Sequence, residues 1–425
     1  MQPAVIVCIV LTITIVGIVT RILPPILVGI GIPLVLSATK VVPAGTAYSG
    51  LGSKTILLII GALALGDACF RTGLTDLLCS RLLQYTAKFK SEAVKLLALG
   101  LLAAILSAFL SSFGVQVALL SLIIVMSQLL KISKSRAVLV LGYAGTLGGT
   151  WSIIGTTIMV MAKNTYEQLA PGQTFGMFEM SIVTIPIGIA GLLLYCFITS
   201  RFLPDRAGEN QAHKASDSEQ NQFDIKKIRT VSIIFVAFLV LIALDGKFFL
   251  PAHLVAVLMM IFLVVTGIST VKDIVNSINW DAIFFIVGVT VLSDAMVSSG
   301  ISDTIGKTLI MIIGGNRNPY IILGGICIIS ALLTQLISNS GAFGVILPFL
   351  PVIADSLGVD LKPLIIAASI ACSCGFCLPL SAPSYMILST EGNLRVSDWV
   401  KQGIPITVLC VLLTILAVPV FWPLY

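Results

Sequence analysis

The chain has 425 residues, 57% of them hydrophobic and 10% charged, with a mean hydropathy of +1.09, whereas a soluble domain carries roughly 25% charged residues. This composition excludes a soluble globular protein and leaves no room for a separate soluble domain. The formal net charge of +6 comes from Lys and Arg scattered over loops, not gathered on one face, so no nucleic-acid partner is expected.

In chain order, apolar stretches that read as membrane helices lie near 4–20, 22–39, 55–70, 177–200, 231–244, 249–268 and 402–424. The first lacks a basic leader and a small-x-small cleavage pattern, so it reads as a retained helix. The cysteines lie inside apolar segments and read as small packing residues, not a disulfide framework. One strongly hydrophilic stretch, 204–229, sits near the middle and reads as a linker between two halves.

Sliding one half along the other finds a single productive offset, 227. It lays Leu23-Pro24 on Leu250-Pro251, and it lays Gly61, Asp67, Ala68, Gly73 and Asp76 on Gly288, Asp294, Ala295, Gly300 and Asp303. The same offset places SSFGVQ (111–116) on SNSGAF (338–343) and Gly148 on Gly375. The chain therefore reads as an internal duplication, 1–203 and 230–425, an architecture known among secondary transporters.

Each half contains a stretch of about 40 residues with a polar, uncharged centre, near 92–131 and 318–357. Loops at a membrane surface usually carry charges or aromatics, so these stretches are predicted to be re-entrant helical hairpins that turn inside the protein. Five further spans per half make an odd number, which requires the halves to be inverted. With the N-terminus outside, 17 Lys and Arg fall on the inner side and 7 on the outer side, as the positive-inside rule demands. The prediction is an all-α integral membrane protein of two inverted repeats, each with five transmembrane helices and one hairpin. Both termini lie outside and the linker is cytoplasmic.

A broken helix leaves backbone N–H groups and carbonyls without partners, and inside a membrane those groups need an ion or a polar solute. N-terminal ends favour anions, while C-terminal carbonyls with Ser and Asn oxygens suit sodium. Ser338, Asn339 and Ser340 would line such a site. GTLGGTWSIIGTT (145–157) and CSCGFCLPLSAPS (372–384), rich in Gly, Pro, Ser and Thr, are predicted to be unwound segments facing the hairpins. Read alone, either tip or either segment could be a turn or packing motif; recurrence at one offset favours a site.

At these residues the chain resembles the divalent anion/sodium symporter family of the ion transporter superfamily. SNS (338–340) is similar to that family's Ser-Asn-Thr tip, GGTWSIIGTT (148–157) to the segment after its first hairpin, and LPLSAPSYMIL (378–388) to the segment after its second. VSDWVKQGIPITVLCVLL (396–413) is similar to its last span. The resemblance implies an elevator-type transporter, usually a homodimer, with no cofactor and with sodium as coupling ion. Carried over position by position, sodium would meet Ser111, Gly148, Gly149 and Thr150 at one tip and Ser338, Asn339, Ser340, Ala382 and Pro383 at the other. The substrate would contact Ser111, Ser338, Asn339 and Ser340. The first tip departs from the pattern: Ser111-Ser112-Phe113 stands where the family has Ser-Asn-Thr, and Gln116 is the nearest amide.

Other candidates are weaker. Asp67 and Asp294 are intramembrane carboxylates that could relay protons, but each precedes a Gly and an amphipathic run that reads as interfacial. Cys372, Cys374 and Cys377 have no His nearby to complete a soft-metal site. His213 and His253 have no catalytic partner in view, so no enzyme is expected. The reading is a plasma-membrane secondary transporter coupling a small anion to sodium, the anion a di- or tricarboxylate first and sulfate second. A proton-coupled carrier or an exporter is the alternative on the same fold, and an anion channel is the alternative of another class.

Overall fold

The computed structural model of the chain describes residues 3–20, 22–86, 88–170, 172–203, 224–243, 250–299, 318–379 and 381–425. Residues 204–223 of the predicted linker, with His213, lie outside the described residues, as do Gly300 and Asp303 of the repeat. The described α-helices, numbered in chain order, are α1 (Pro3–Val19), α2 (Pro25–Ala38), α3 (Ala44–Ala47), α4 (Lys54–Arg71), α5 (Leu74–Thr86), α6 (Glu92–Phe109), α7 (Ser112–Leu130), α8 (Lys134–Gly149), α9 (Thr157–Leu169) and α10 (Ser181–Phe197). The second half brings α11 (Ile225–Ala243), α12 (Ala252–Val265), α13 (Val271–Ser277), α14 (Trp280–Ser298), α15 (Pro319–Leu336), α16 (Asn339–Ile346), α17 (Phe349–Leu357), α18 (Leu361–Cys372), α19 (Pro383–Glu391) and α20 (Val396–Phe421).

Five helical stretches among the described residues are long and apolar enough to cross a membrane: α6, α7, α10 with the turn after it, α15 and α20. Two bent pairs, α13 with α14 and α16 with α17, pass the same test together. The protein is a multi-pass membrane protein.

The offset of 227 recurs in the helix boundaries. α6 and α15 start and end at equivalent positions, and α7 occupies the place of α16 plus α17. The local causes recur too. Pro24 and Pro251 precede α2 and α12 in matching extended conformations (φ −61°, ψ 146° and φ −62°, ψ 150°), as expected of a residue that fixes φ and lacks an N–H. Ser111 and Ser338 are the N-caps at the two tips. The far ends of the hairpins close on left-handed residues, Lys131 (φ 54°) and Gly358 (φ 62°), the conformation that terminates many helices. The arms differ where Pro348 replaces Ser121. Without a proline N–H the ladder breaks, so α16 and α17 meet at 40° while α7 runs through.

The halves are knitted by reciprocal crossings of small residues. α2 crosses α14 at Gly29 and Gly288, and α4 crosses α12 at Gly61 and Ala256. A Cβ at Gly288 would come within 2.6 Å of Gly29 Cα, and one at Gly61 within 2.6 Å of Ala256 O. Such contacts let membrane helices approach backbone to backbone. The innermost elements are α8 and α18, buried nearly throughout and flanked by the hairpin arms. α19 packs on α7, and α9 packs on α16, so each hairpin is met by the helix that follows the other half's break. At one rim Glu179 is paired with Lys362 and accepts from Trp422 Nε1 at 3.1 Å, which fastens the C-terminal end of α20. Partial burial pushes the Glu179 carboxyl up, but Lys362, the Gly176 N–H and Trp422 outweigh it and hold the group below its ordinary value.

Candidate functional site

α15 ends at Leu336, and extended residues Ile337 and Ser338 turn the chain into α16. Ser338 Oγ accepts from Gly341 N–H at 3.2 Å and so caps the new helix. Asn339 is pinned from two sides. Its N–H donates to Ser381 O at 3.1 Å, and its Oδ1 lies 2.7 Å from Thr334 Oγ1. The same Thr334 hydroxyl lies 2.6 Å from Cys372 O, the last carbonyl of α18. Gly375 makes room, since a Cβ there would overlap Asn339 Oδ1 and stand 2.8 Å from Ser381 Cβ.

The backbone of 373–379 and 381–382 has left the helix and needs substitute partners. Gln335 supplies them: its Nε2 donates to Cys374 O and its Oε1 accepts from Cys377 N–H, both at 2.9 Å. Thr407 Oγ1 donates to Cys374 O at 3.1 Å, and Ser381 Oγ to Leu378 O at 2.9 Å.

The first tip repeats this plan with smaller side chains. Ser107, which the offset lays on Thr334, donates to Gly145 O at 2.5 Å and stands 2.9 Å from Ser112 Oγ. Ser112 Oγ donates to Gly155 O at 2.8 Å, and its N–H reaches the same carbonyl at 3.1 Å. Gly149 is bare because a Cβ would overlap Ser112 Oγ, and Gly148 because it lies on the backbone of Ala104.

Side-chain chemistry separates the tips. At the first, the Ser107 and Ser112 hydroxyls lie among the carbonyls of Gly145 and Gly155. At the second, an amide takes the place of the Ser112 hydroxyl, and Thr334 Oγ1 lies within hydrogen-bond reach of Asn339 Oδ1 and Cys372 O. Converging hydroxyl, amide and carbonyl oxygens are ligands that a hard cation takes. The helix ends differ in the opposite sense: Ser338 caps α16, but Ser111 makes no side-chain cap on α7, which leaves the positive end of a 19-residue helix better able to face an anion.

A profile of the citrate transporter family matches residues 9–249 and 239–423. The chain belongs to that family. Its relatives include an uncharacterized transporter of Haemophilus influenzae, 24% identical over 407 residues (92% of this chain, 86% of the relative). Another is an uncharacterized transporter of Methanocaldococcus jannaschii, 27% identical over 289 residues (66% and 63%). A third is the sodium-dependent dicarboxylate transporter SdcS of Staphylococcus saprophyticus, 23% identical over 310 residues (67% and 58%). The matches span less than two thirds of the M. jannaschii and S. saprophyticus proteins. Among solved structures, the YdaH transporter of Alcanivorax borkumensis superposes with a TM-score of 0.64 at 11% identity, covering 88% of this chain and 85% of that one. MtrF of Neisseria gonorrhoeae superposes with a TM-score of 0.64 at 14% identity, covering 92% and 84%. These likenesses show a shared fold, and the relatives are transporters, not enzymes.

Against this family frame, the sequence-predicted residues fall into two groups. Asn339, Ser338, Ala382, Gly148 and Gly149 lie at or beside the tips and breaks described above. Thr150 bonds back to Leu147 O at 2.7 Å on its own helix, and Pro383 is exposed at the start of α19. At the first tip it is Ser112, not Ser111, whose hydroxyl is tied into the cluster. Sequence reasoning missed Ser107, Thr334 and Gln335, although the offset that pairs Ser107 with Thr334 was there to find them. Gln116 does not stand in for the missing tip amide, because its whole side chain is engaged in the interior.

The remaining candidates lie apart. Asp67 pairs with Arg71 (3.7 Å), which also pairs with Asp273, while Asp294 is exposed near the end of α14, with buried Thr290 and Val291 one turn before it. No cluster of His, Cys, Asp and Glu able to hold a metal occurs among the described residues. A cavity of about 310 Å³ between α1 and α2 is lined by apolar side chains such as Ile9, Val10 and Leu27 and by no residue of either tip.

Proposed function

We propose that the protein is a secondary active transporter that moves a small anion inward on a sodium gradient, with a di- or tricarboxylate as first candidate and sulfate as second. The observation that carries the sodium assignment is the second tip, where the oxygens Thr334 Oγ1, Asn339 Oδ1 and Cys372 O converge. Family membership supports anion transport, and the name of the SdcS relative supports sodium dependence and a dicarboxylate. The anion would be held by the uncapped N-terminus of α7 with Ser111, facing Ser338, Asn339 and Ser340.

The proposal includes ten spans in two inverted repeats, with α6–α7 and α15–α17 as re-entrant hairpins, both termini outside and the linker in the cytoplasm. The excess of Lys and Arg on the inner side supports that orientation. The reciprocal crossings of α2 with α14 and α4 with α12 fit halves related by a two-fold axis. Movement of the hairpins and broken helices as one body within a homodimer is part of the same reading.

The test is a thermal-shift panel on purified protein, with succinate, citrate, malate and sulfate each in sodium and in choline buffer. A ligand that binds the folded state raises the midpoint by mass action. Stabilisation by one anion only in sodium is the expected outcome. Absence of any sodium effect would overturn the coupling and turn attention to protons at Asp67 and Asp294.

A further inference from the structure

Gln116 lies in the second turn of α7 and is 1% exposed. Its Nε2 donates to Gly142 O at 2.8 Å and Thr146 Oγ1 at 3.1 Å, both on α8, and its Oε1 accepts from the Ser384 hydroxyl of α19. Thr146 Oγ1 is in turn 2.7 Å from the hydroxyl of Tyr385, a fully buried ring stacked on Trp399. One side chain thus joins three helices from both halves of the molecule.

What lies at each end of this junction gives it a function. On one side Gln116 rests on Gly145, where a Cβ would stand 2.6 Å from its Nε2, and Gly145 O is the acceptor for Ser107 at the first tip. On the other side Ser384 sits three residues after Ser381, whose carbonyl holds the Asn339 N–H at the second tip. The converse joint, between α16 and α9, carries Phe343 at the position equivalent to Gln116. Among the described residues, Gln116 supplies a hydrogen-bonded link between the first hairpin and the second break, while α16 and α9 are in contact without a side-chain hydrogen bond between them.

We infer that Gln116, acting through Ser384, is the positioning residue that couples ion occupancy at the second tip to anion binding at the first. The inference rests on the sodium-coupled reading above. A buried amide with directional bonds at both ends has few alternative arrangements, so displacement of 381–384 on ion binding must be passed to α7 and α8. The joint between α16 and α9, where buried Phe343 stands at the position of Gln116, has no such directional bond among the described residues.

The experiment measures the apparent affinities of citrate and succinate by thermal-shift titration at low and high sodium, for the whole chain and for Gln116→Leu, Ser384→Ala and Ser384→Thr. In the parent protein sodium is expected to raise anion affinity by about tenfold, within the usual range of coupling between sites. Gln116→Leu and Ser384→Ala should reduce that ratio to less than about threefold, while Ser384→Thr, which keeps the hydroxyl, should preserve it. Sodium alone should still stabilise both uncoupled variants, which separates lost coupling from a damaged ion site. An unchanged ratio in both variants, or loss of the ratio together with the response to sodium alone, overturns the inference; Ser384→Ala and Ser384→Thr carry the test if Gln116→Leu does not fold. If sodium has no effect in the parent protein, the sodium-coupled reading itself falls and takes this inference with it, whereas persistence of coupling in the variants sinks the inference alone.

Discussion

The two hairpin tips occupy equivalent places in the duplicated chain, yet they are chemically unlike. At the second, Asn339 and Thr334 bring an amide oxygen and a hydroxyl against the carbonyl that ends α18. At the first, the Ser107 and Ser112 hydroxyls stand 2.9 Å apart and reach Gly145 O and Gly155 O. Ser112 in place of Asn at the first helical position removes the amide from the first tip. The offset of 227 places the two tips at equivalent helix boundaries; on the proposed reading the side chains divide the labour, the second tip holding the cation and the first, with its uncapped α7, the anion.

The largest expected effect breaks the comparison at its stronger side. Asn339→Ala should weaken sodium binding by at least about 100-fold and abolish coupled transport without unfolding the protein, whereas Ser112→Ala should cost only a few-fold. Sodium titration of the thermal midpoint in each variant decides this, and normal sodium-driven uptake by Asn339→Ala would sink the assignment of the second tip. Gly375→Ala should fall between them, at about 10- to 100-fold, because its Cβ displaces the Asn339 side chain that the site needs. Uptake rate against sodium concentration reads that loss.

A gain of function sharpens the same contrast. Ser112→Asn brings an amide oxygen to the first tip and should make uptake depend more steeply on sodium; an unchanged Hill coefficient would mean that the side chain at the first helical position is not what sets the tips apart. Further from the chemistry, Lys131 and Gly358 both hold left-handed backbone at the far ends of the hairpins, a conformation that costs a side chain roughly 1 kcal/mol. Lys131→Gly should therefore stabilise the protein by about 1 kcal/mol and Gly358→Lys destabilise it by about as much, as read from unfolding midpoints.

The smallest effect is a control remote from both tips. The carboxyl of Glu179 is held below its ordinary value in the folded protein, so its contribution is present above the unfolded pKa and is lost as pH falls through the folded one. Glu179→Gln should remove that acid-side loss and leave sodium titrations unchanged. Unfolding midpoints from neutral to acid pH check it.

The sequence by itself determined the membrane class and the places of the hairpin turns. Each rests on local chemistry: apolar runs of spanning length, Pro24 and Pro251 before helices, and Ser111 and Ser338 at turns. The sequence predicts an unwound segment from Gly145, whereas α8 stays helical through Gly149. The amide of Asn339 was likewise legible from its neighbours Ser338 and Ser340. Which oxygens meet that amide was not. Thr334 reaches Cys372 O across 38 positions, Ser107 reaches Gly145 O across 38, and Ser384 reaches Gln116 across 268. Such contacts depend on how the hairpin arms wrap α8 and α18 and on which half's broken segment each tip meets. Only the tertiary structure could decide that Gln116 belongs to the interior and not to the tip, because a side chain five residues past Ser111 lies more than one helical turn away, where packing against Gly145, and not sequence proximity, selects its partners.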